Sequence, residues 1–193
     1  ALSATLTSAA SAQFTTTADA TITAEETLAH TFKFTGQNVV CSVAPLHGTA
    51  PAASFKTINL QPTYTGCLYG GAEAKVTGFG KPGEANRCWY SFASDTSAAL
   101  ACNGGDVTIE FGSCVVHIPA QALGGGALTY TNGTASGKKD ITVALSFTKI
   151  TATHTDAFLC PFLANGHAEE GTLTGENTIT ATSGGGSVDL SVD

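Results

Sequence analysis

Residues 88–119 read CWYSFASDTSAALACNGGDVTIEFGSCVVHIP and hold three of the six cysteines and the only tryptophan. Cys88 and Cys102 lie symmetrically about the polar turn Ala93-Ser94-Asp95-Thr96-Ser97, so a hairpin sets them opposite one another. Asn103-Gly104-Gly105-Asp106 then leads into Val107-Thr108-Ile109-Glu110-Phe111, where apolar and polar residues alternate strictly. A period of two marks a strand with one buried face. The stretch reads as a disulfide-pinned β-meander at the centre of an all-β domain.

Working outward, the same period recurs. Ile141, Val143, Leu145 and Phe147 face one way, and Thr142, Ala144, Ser146 and Thr148 the other. His30, Phe32 and Phe34 share a face, and Val188, Leu190 and Val192 alternate with Asp189, Ser191 and Asp193. Asn132-Gly133 is a tight-turn dipeptide. Only Thr23–Leu28 and Ala164–Glu170 suggest helix, one turn each. Many short strands joined by Gly, Asn, Ser and Pro predict an antiparallel β-sandwich, immunoglobulin-like or jelly-roll-like, with a closed barrel as the second choice.

The chain has 193 residues, within the size of one all-β domain. Hydrophobic residues make up 42% and charged residues 12%, which opposes disorder. The polarity comes from Thr and Ser, which suit the open face of a pleated strand. With a formal net charge of −7 and one adjacent basic pair, Lys138-Lys139, the chain lacks the cation cluster that nucleic acid requires. No apolar run is long enough for a transmembrane helix.

Cys41, Cys67, Cys88, Cys102, Cys114 and Cys160 contain no CxxC pair, so a disulfide framework is preferred to zinc. The first-choice pairing is Cys41–Cys67, Cys88–Cys102 and Cys114–Cys160, although sequence does not fix it. Such a framework places the protein outside the cell, as a secreted or surface protein.

Residues 1–14 form an extended N-terminal arm ahead of one domain over 15–193. Leu2, Ala4 and Leu6 line one edge of the arm, Phe14 follows, and Ala10-Ser11-Ala12 resembles a signal-peptidase site. The four apolar residues are candidates for donation to a neighbouring subunit, which would build a head-to-tail homopolymer.

The histidines are His30, His47, His117, His154 and His167, with no HExxH among them. His117 lies on a strand and reads as a hydrogen-bonded packing residue. His154 near Asp156, and His167 before Glu169-Glu170, are weak candidates for metal or acid–base work. Gly184-Gly185-Gly186-Ser187 is a linker rather than a nucleophile elbow. Glu110 alternates as an ordinary exposed residue, and Asn103–Asp106 and Asp189/Asp193 are weak calcium candidates. No enzyme activity, cofactor or metal is expected. Trp89, Tyr90, Tyr64 and Tyr69 invite glycan contact, against which Trp89 beside Cys88 suggests core packing. Asn132-Gly133-Thr134 fits a glycosylation sequon.

The segments AQF, VVCSVAPLHGT, PTYTGC, RCWYSF, LACNGGDVTIEFGSCVVHIPAQ, LTYTNGT, DITVALSFTKI and GTLTGENTIT cover the chain from Ala12 to about Thr180. In this order they resemble uncharacterised secreted bacterial proteins. The resemblance implies export and disulfides, and carries no activity with it. In those proteins AQF follows the cleavage point, so residues 1–11 are a departure. The leading functional expectation is a structural subunit of a surface filament, and the alternative is a monomeric binding module for polysaccharide or a cell-surface partner.

Overall fold

The computed structural model describes residues 12–35, 37–124, 127–134, 137–155 and 168–193. The strands are β1 (Phe14–Thr16), β2 (Ala20–Phe34), β3 (Gln37–Val43), β4 (Leu46–Ala50), β5 (Ser54–Phe55) and β6 (Thr57–Pro62). Next come β7 (Thr65–Tyr69), β8 (Ala72–Thr77), β9 (Cys88–Ala93), β10 (Ala98–Cys102), β11 (Val107–Phe111) and β12 (Cys114–Ile118). The last are β13 (Gln121–Ala122), β14 (Leu128–Gly133), β15 (Asp140–Thr155), β16 (Ala168–Ser183), β17 (Gly186–Val188) and β18 (Leu190–Val192). No helix among the described residues is long and apolar enough to cross a membrane.

The sandwich expectation is wrong. Eight antiparallel strands, in the order β2-β3-β7-β8-β11-β12-β15-β16, close into a barrel. The closing ladder joins Thr21–Phe34 of β2 to Gly171–Thr182 of β16, so these strands leave no free edge between them. Three strands are long, with 15 residues in β2 and 16 each in β15 and β16. Strands of that length can coil round a barrel when bulges add twist. β2 has two register shifts opposite Gly175–Asn177, and β15 has one between Phe147 and Ile150, where Lys149 adopts φ 58°.

Those bulges explain the misread helix. Thr23–Leu28 loses its alternation because extra residues are inserted there, and it is the middle of β2. For the second expected turn, 164–167 lie outside the described residues and 168–170 begin β16.

Each long strand changes partner along its length. β2 pairs with β4 through Ala20–Ala24 and with β3 through His30–Phe34. β15 pairs with β14 through Asp140–Leu145 and with β12 through Thr153–Thr155. The barrel therefore occupies one end of the long strands. A wing, β4-β6-β9-β10-β13, continues from the other. The wing curls until its far hairpin meets β14, where Leu128 N–H donates to Thr96 C=O and the Tyr130 hydroxyl to Ala93 C=O.

The expected meander is thus split. β9 and β10 form one hairpin in the wing, and β11 and β12 form another in the barrel, against β8 and β15. Gly104 and Gly105, with φ of 74° and 73°, carry the chain between them. Asn132-Gly133 is not a turn either. It ends β14, and a Cβ on Gly133 would lie 2.5 Å from Asp140 Oδ1.

The alternation builds one continuous core. Phe32, Val39, Ile109, Val116, Ile150 and Leu173 are buried from the barrel staves. Ile58, Leu60, Tyr90, Phe92 and Leu100 are buried from the wing, and Tyr90 packs on Phe147 with ring centroids 5.8 Å apart. Cys41–Cys67 joins β3 to β7, and Cys88–Cys102 joins β9 to β10, each between directly paired residues. Cys114 is buried and disulfide-bonded, and its expected partner Cys160 lies outside the described residues.

A second, small sheet runs β18-β1-β5. Phe14 is buried there, paired with Val192 and Phe55 and edge-on to Tyr130 at 5.3 Å.

Candidate functional site

Where β2 exchanges β4 for β3, a polar chain crosses the interior. Ala44, between β3 and β4, is fully buried, and its carbonyl accepts from Asn177 Nδ2 at 3.1 Å. That bond turns Asn177 Oδ1 toward His30 Nε2, 2.8 Å away. An amide oxygen only accepts, so Nε2 carries the proton and Nδ1 is the acceptor. The Tyr64 hydroxyl donates to Nδ1 at 3.0 Å and in turn accepts from the Tyr90 hydroxyl, also at 3.0 Å. Burial holds the His30 imidazole below its ordinary pKa, and Asn177 opposes the shift only in part. Burial also holds Tyr64 and Tyr90 un-ionised well above the usual phenol range. All four side chains are buried and partnered, which makes this chain structural: it satisfies the backbone at the partner exchange.

A second polar set lies at the surface. Asp106 Oδ2 is 2.7 Å from His117 Nδ1, and Thr155 Oγ1 is 3.2 Å from His117 Nε2. His117 and Asp106 side chains are 29% and 37% exposed, so water reaches the pair. The hydrogen-bonded histidine expected from sequence is there, on the outward side of β12 rather than in packing. It reads as a cross-strand surface ladder.

The wing offers a different surface. On β9, Cys88, Tyr90 and Phe92 are buried while Trp89, Ser91 and Ala93 face outward. Trp89 was expected against a disulfide in the core, and instead stands half-buried on the outward face. Residues directly paired across a ladder share a face. Trp89 pairs with Ala101, and Ser91 with Asn59 and Ala99, while Ala99 also pairs with Ala122. Three alanines therefore give the face a low floor beside the indole. Toward β4 the same face carries His47, Thr49, Thr57 and Asn59, all exposed. The Lys81-Pro82 segment overhangs them and encloses a groove of about 470 Å³ that also includes Gln61. The overhang is fixed: Asn86 N–H donates to Asn103 C=O and Asn103 N–H to Arg87 C=O, next to the Cys88–Cys102 bridge. A neighbouring cleft of about 420 Å³ is lined by Tyr64, Val76, Phe79, Glu84 and Arg87.

No family model, curated protein or solved structure matches the chain.

The remaining sequence candidates disperse. Tyr64 and Tyr90 are interior, and Tyr69 stacks on Phe111 at 4.4 Å, so Trp89 alone of the aromatic set reaches the open face of the wing. Glu110 is exposed opposite Lys75. His154 is buried in β15 opposite Val116. His167 and Asp156 lie outside the described residues, as do Leu2, Ala4 and Leu6. Asp189 Oδ1 accepts from Lys139 N–H at 2.9 Å, and Asn103 Nδ2 donates to Gly83 C=O at 2.8 Å. Among the described residues no three His, Cys, Asp or Glu side chains gather as a metal site. Asn132 is engaged on both sides of its amide: Nδ2 donates to Val192 C=O at 2.7 Å, and Oδ1 accepts from Val192 N–H at 3.0 Å.

The groove was missed from sequence because its residues come from β4, β6 and a loop. The visible signal was the polar, outward set Thr57, Asn59 and Gln61, which alternates with buried Ile58 and Leu60.

Proposed function

We propose that the protein is an extracellular, non-catalytic binding module for saccharides, with the open face of the wing as its contact surface. The observation that carries this is Trp89, half-buried but facing outward in a row whose neighbours shrink to alanine. A flat ring above a low floor leaves room for the C–H face of a sugar, and an indole N–H is a hydrogen-bond donor for its hydroxyls. Toward β4, on the same face, the hydroxyls and amides of Thr49, Thr57, Asn59 and Gln61 line the groove and supply polar groups. The disulfides support an oxidising, extracellular setting.

Trp89 is the only tryptophan, so its fluorescence reports on this face alone. Titration with a polysaccharide panel is expected to shift the emission for at least one polymer. Trp89→Ala is expected to weaken retention of that polymer at least tenfold while the far-ultraviolet circular dichroism stays unchanged. If no polymer shifts the emission, or Trp89→Ala binds as the parent does, the reading fails.

A second reading, assembly through the N-terminal residues, rests on the root of the arm. The Ser94 hydroxyl donates to Ala12 C=O at 2.6 Å, and Gln13 exchanges two backbone hydrogen bonds with Asp193. The chain thus enters the domain at a fixed point. Since Phe14 is occupied in its own sheet, donation to a neighbour would fall to Leu2, Ala4 and Leu6. Deleting residues 1–11 is expected to leave a folded monomer where the full chain polymerises; polymers that persist after deletion would refute this reading.

A further inference from the structure

We infer that the saccharide held by the wing groove is anionic, a uronic-acid polymer whose carboxylate sits at Lys81. This rests on the saccharide-binding reading above and specifies its ligand class. The chain has 15 acidic and 8 basic residues, so an average stretch of its surface repels anions. The groove departs from that average. Its charged or titratable lining consists of Lys81 and His47, and the rest is hydroxyl, amide, glycine and proline. The neighbouring cleft holds Glu84 against Arg87, and the groove near Thr21 and Thr182 holds Asp19.

The loop geometry explains why Lys81 is available. Glu84, three residues on, is the nearest carboxylate in sequence, but it is turned to the other side. Its Oε2 accepts from the Lys81 backbone N–H at 3.0 Å, and its Oε1 lies 3.8 Å from Arg87 Nε. Glu84 is thus engaged with the Lys81 main chain and with Arg87, and the Lys81 ammonium makes no ion pair among the described residues. A cation without an ion pair among the described residues, in a lining otherwise made of neutral polar groups and one histidine, suits a polymer with one carboxylate per sugar and hydroxyls between. The acidic surroundings would exclude polyanions that bind by charge alone.

The test uses the full chain and two ligands with one backbone, an oligogalacturonate and its fully methyl-esterified form, titrated against Trp89 fluorescence. The oligogalacturonate is expected to bind at least tenfold more tightly, and Lys81→Gln to remove the difference between the two ligands. Equal affinity for the two, or a difference that survives Lys81→Gln, overturns the inference but leaves saccharide binding standing. A dextran sulfate arm separates the anions: tighter binding of the sulfate ester than of the oligogalacturonate overturns the carboxylate assignment. No response to any saccharide overturns both this inference and the reading beneath it.

Discussion

His30 on β2 and Asn177 on β16 meet inside the protein, Nε2–H to Oδ1 at 2.8 Å, although 147 residues separate them in sequence. Asn177 is also the only partner described for the buried Ala44 carbonyl. Asn177→Ala would strand a donor and an acceptor at once. Each buried orphan costs about 1–3 kcal/mol, so urea denaturation is expected to show a loss of about 3 kcal/mol. A loss under about 0.5 kcal/mol would mean that water replaces the amide.

His30 also makes stability depend on pH in a defined direction. Its folded pKa lies below the unfolded value because burial penalises the imidazolium. The unfolded chain therefore takes up the proton first. The stabilisation is fully present above about pH 6.5 and is lost as pH falls through the folded pKa. The expected slope approaches about 1.4 kcal/mol per pH unit once only the unfolded state is protonated. Denaturation midpoints at pH 7, 6 and 5 measure it, and His30→Gln should flatten the profile in this window.

Two glycines of β16 are required for space rather than for backbone freedom. A Cβ on Gly175 would enter the His30 ring, and one on Gly171 would enter the Phe34 ring and approach Lys33 C=O. Overpacking of this kind costs about 1–3 kcal/mol. Gly175→Ala and Gly171→Ala are each expected to lose about 2 kcal/mol or more in thermal or urea unfolding. Gly186, where a Cβ meets nothing closer than 3.8 Å, is the control, and Gly186→Ala should change stability by less than about 0.5 kcal/mol.

Asn132 acts as a strand edge in side-chain form, since its amide makes both bonds that a neighbouring backbone would make to Val192. Asn132→Ala is expected to release β18 from that side, with the Val192 amide exchanging at least tenfold faster and a stability loss of about 1–2 kcal/mol. The sequon carries a matching expectation. A glycan on Nδ2 would break the bond to Val192 C=O, so a glycosylated form should melt lower than the unmodified one. An equal or higher melting temperature would show that the clamp is dispensable.

The all-β class was readable because period-two alternation survives wherever a strand has one buried face, as in Ile141–Thr148 and Val107–Phe111. The Cys88–Cys102 bridge was readable because the two cysteines flank a turn, whereas Cys41–Cys67 was a first choice among pairings that the sequence left open. Closure was not readable. It depends on β2 pairing with β16, and the bulges at Thr27, Ala29 and Lys149 that permit it erase the alternation where it matters. Local chemistry also misled at Asn132-Gly133, a turn dipeptide whose asparagine is used as a clamp and whose glycine makes room for Asp140. Trp89 shows the same limit for the candidate site. Its neighbour Cys88 argues for the core, yet adjacent residues on a strand point to opposite faces.

β2, β15 and β16 run on past the barrel, where β2 pairs with β4 of the wing and β15 with β14, and this has a kinetic consequence. Before β16 is in place, β2 and β15 present facing rows of unpaired N–H and C=O groups, a template for wrong partners. Assembly then waits on a contact between residues 147 apart, and loops that long close slowly. The last stave to emerge is the one that seals the cask, and until it arrives neither half is safe from aggregation.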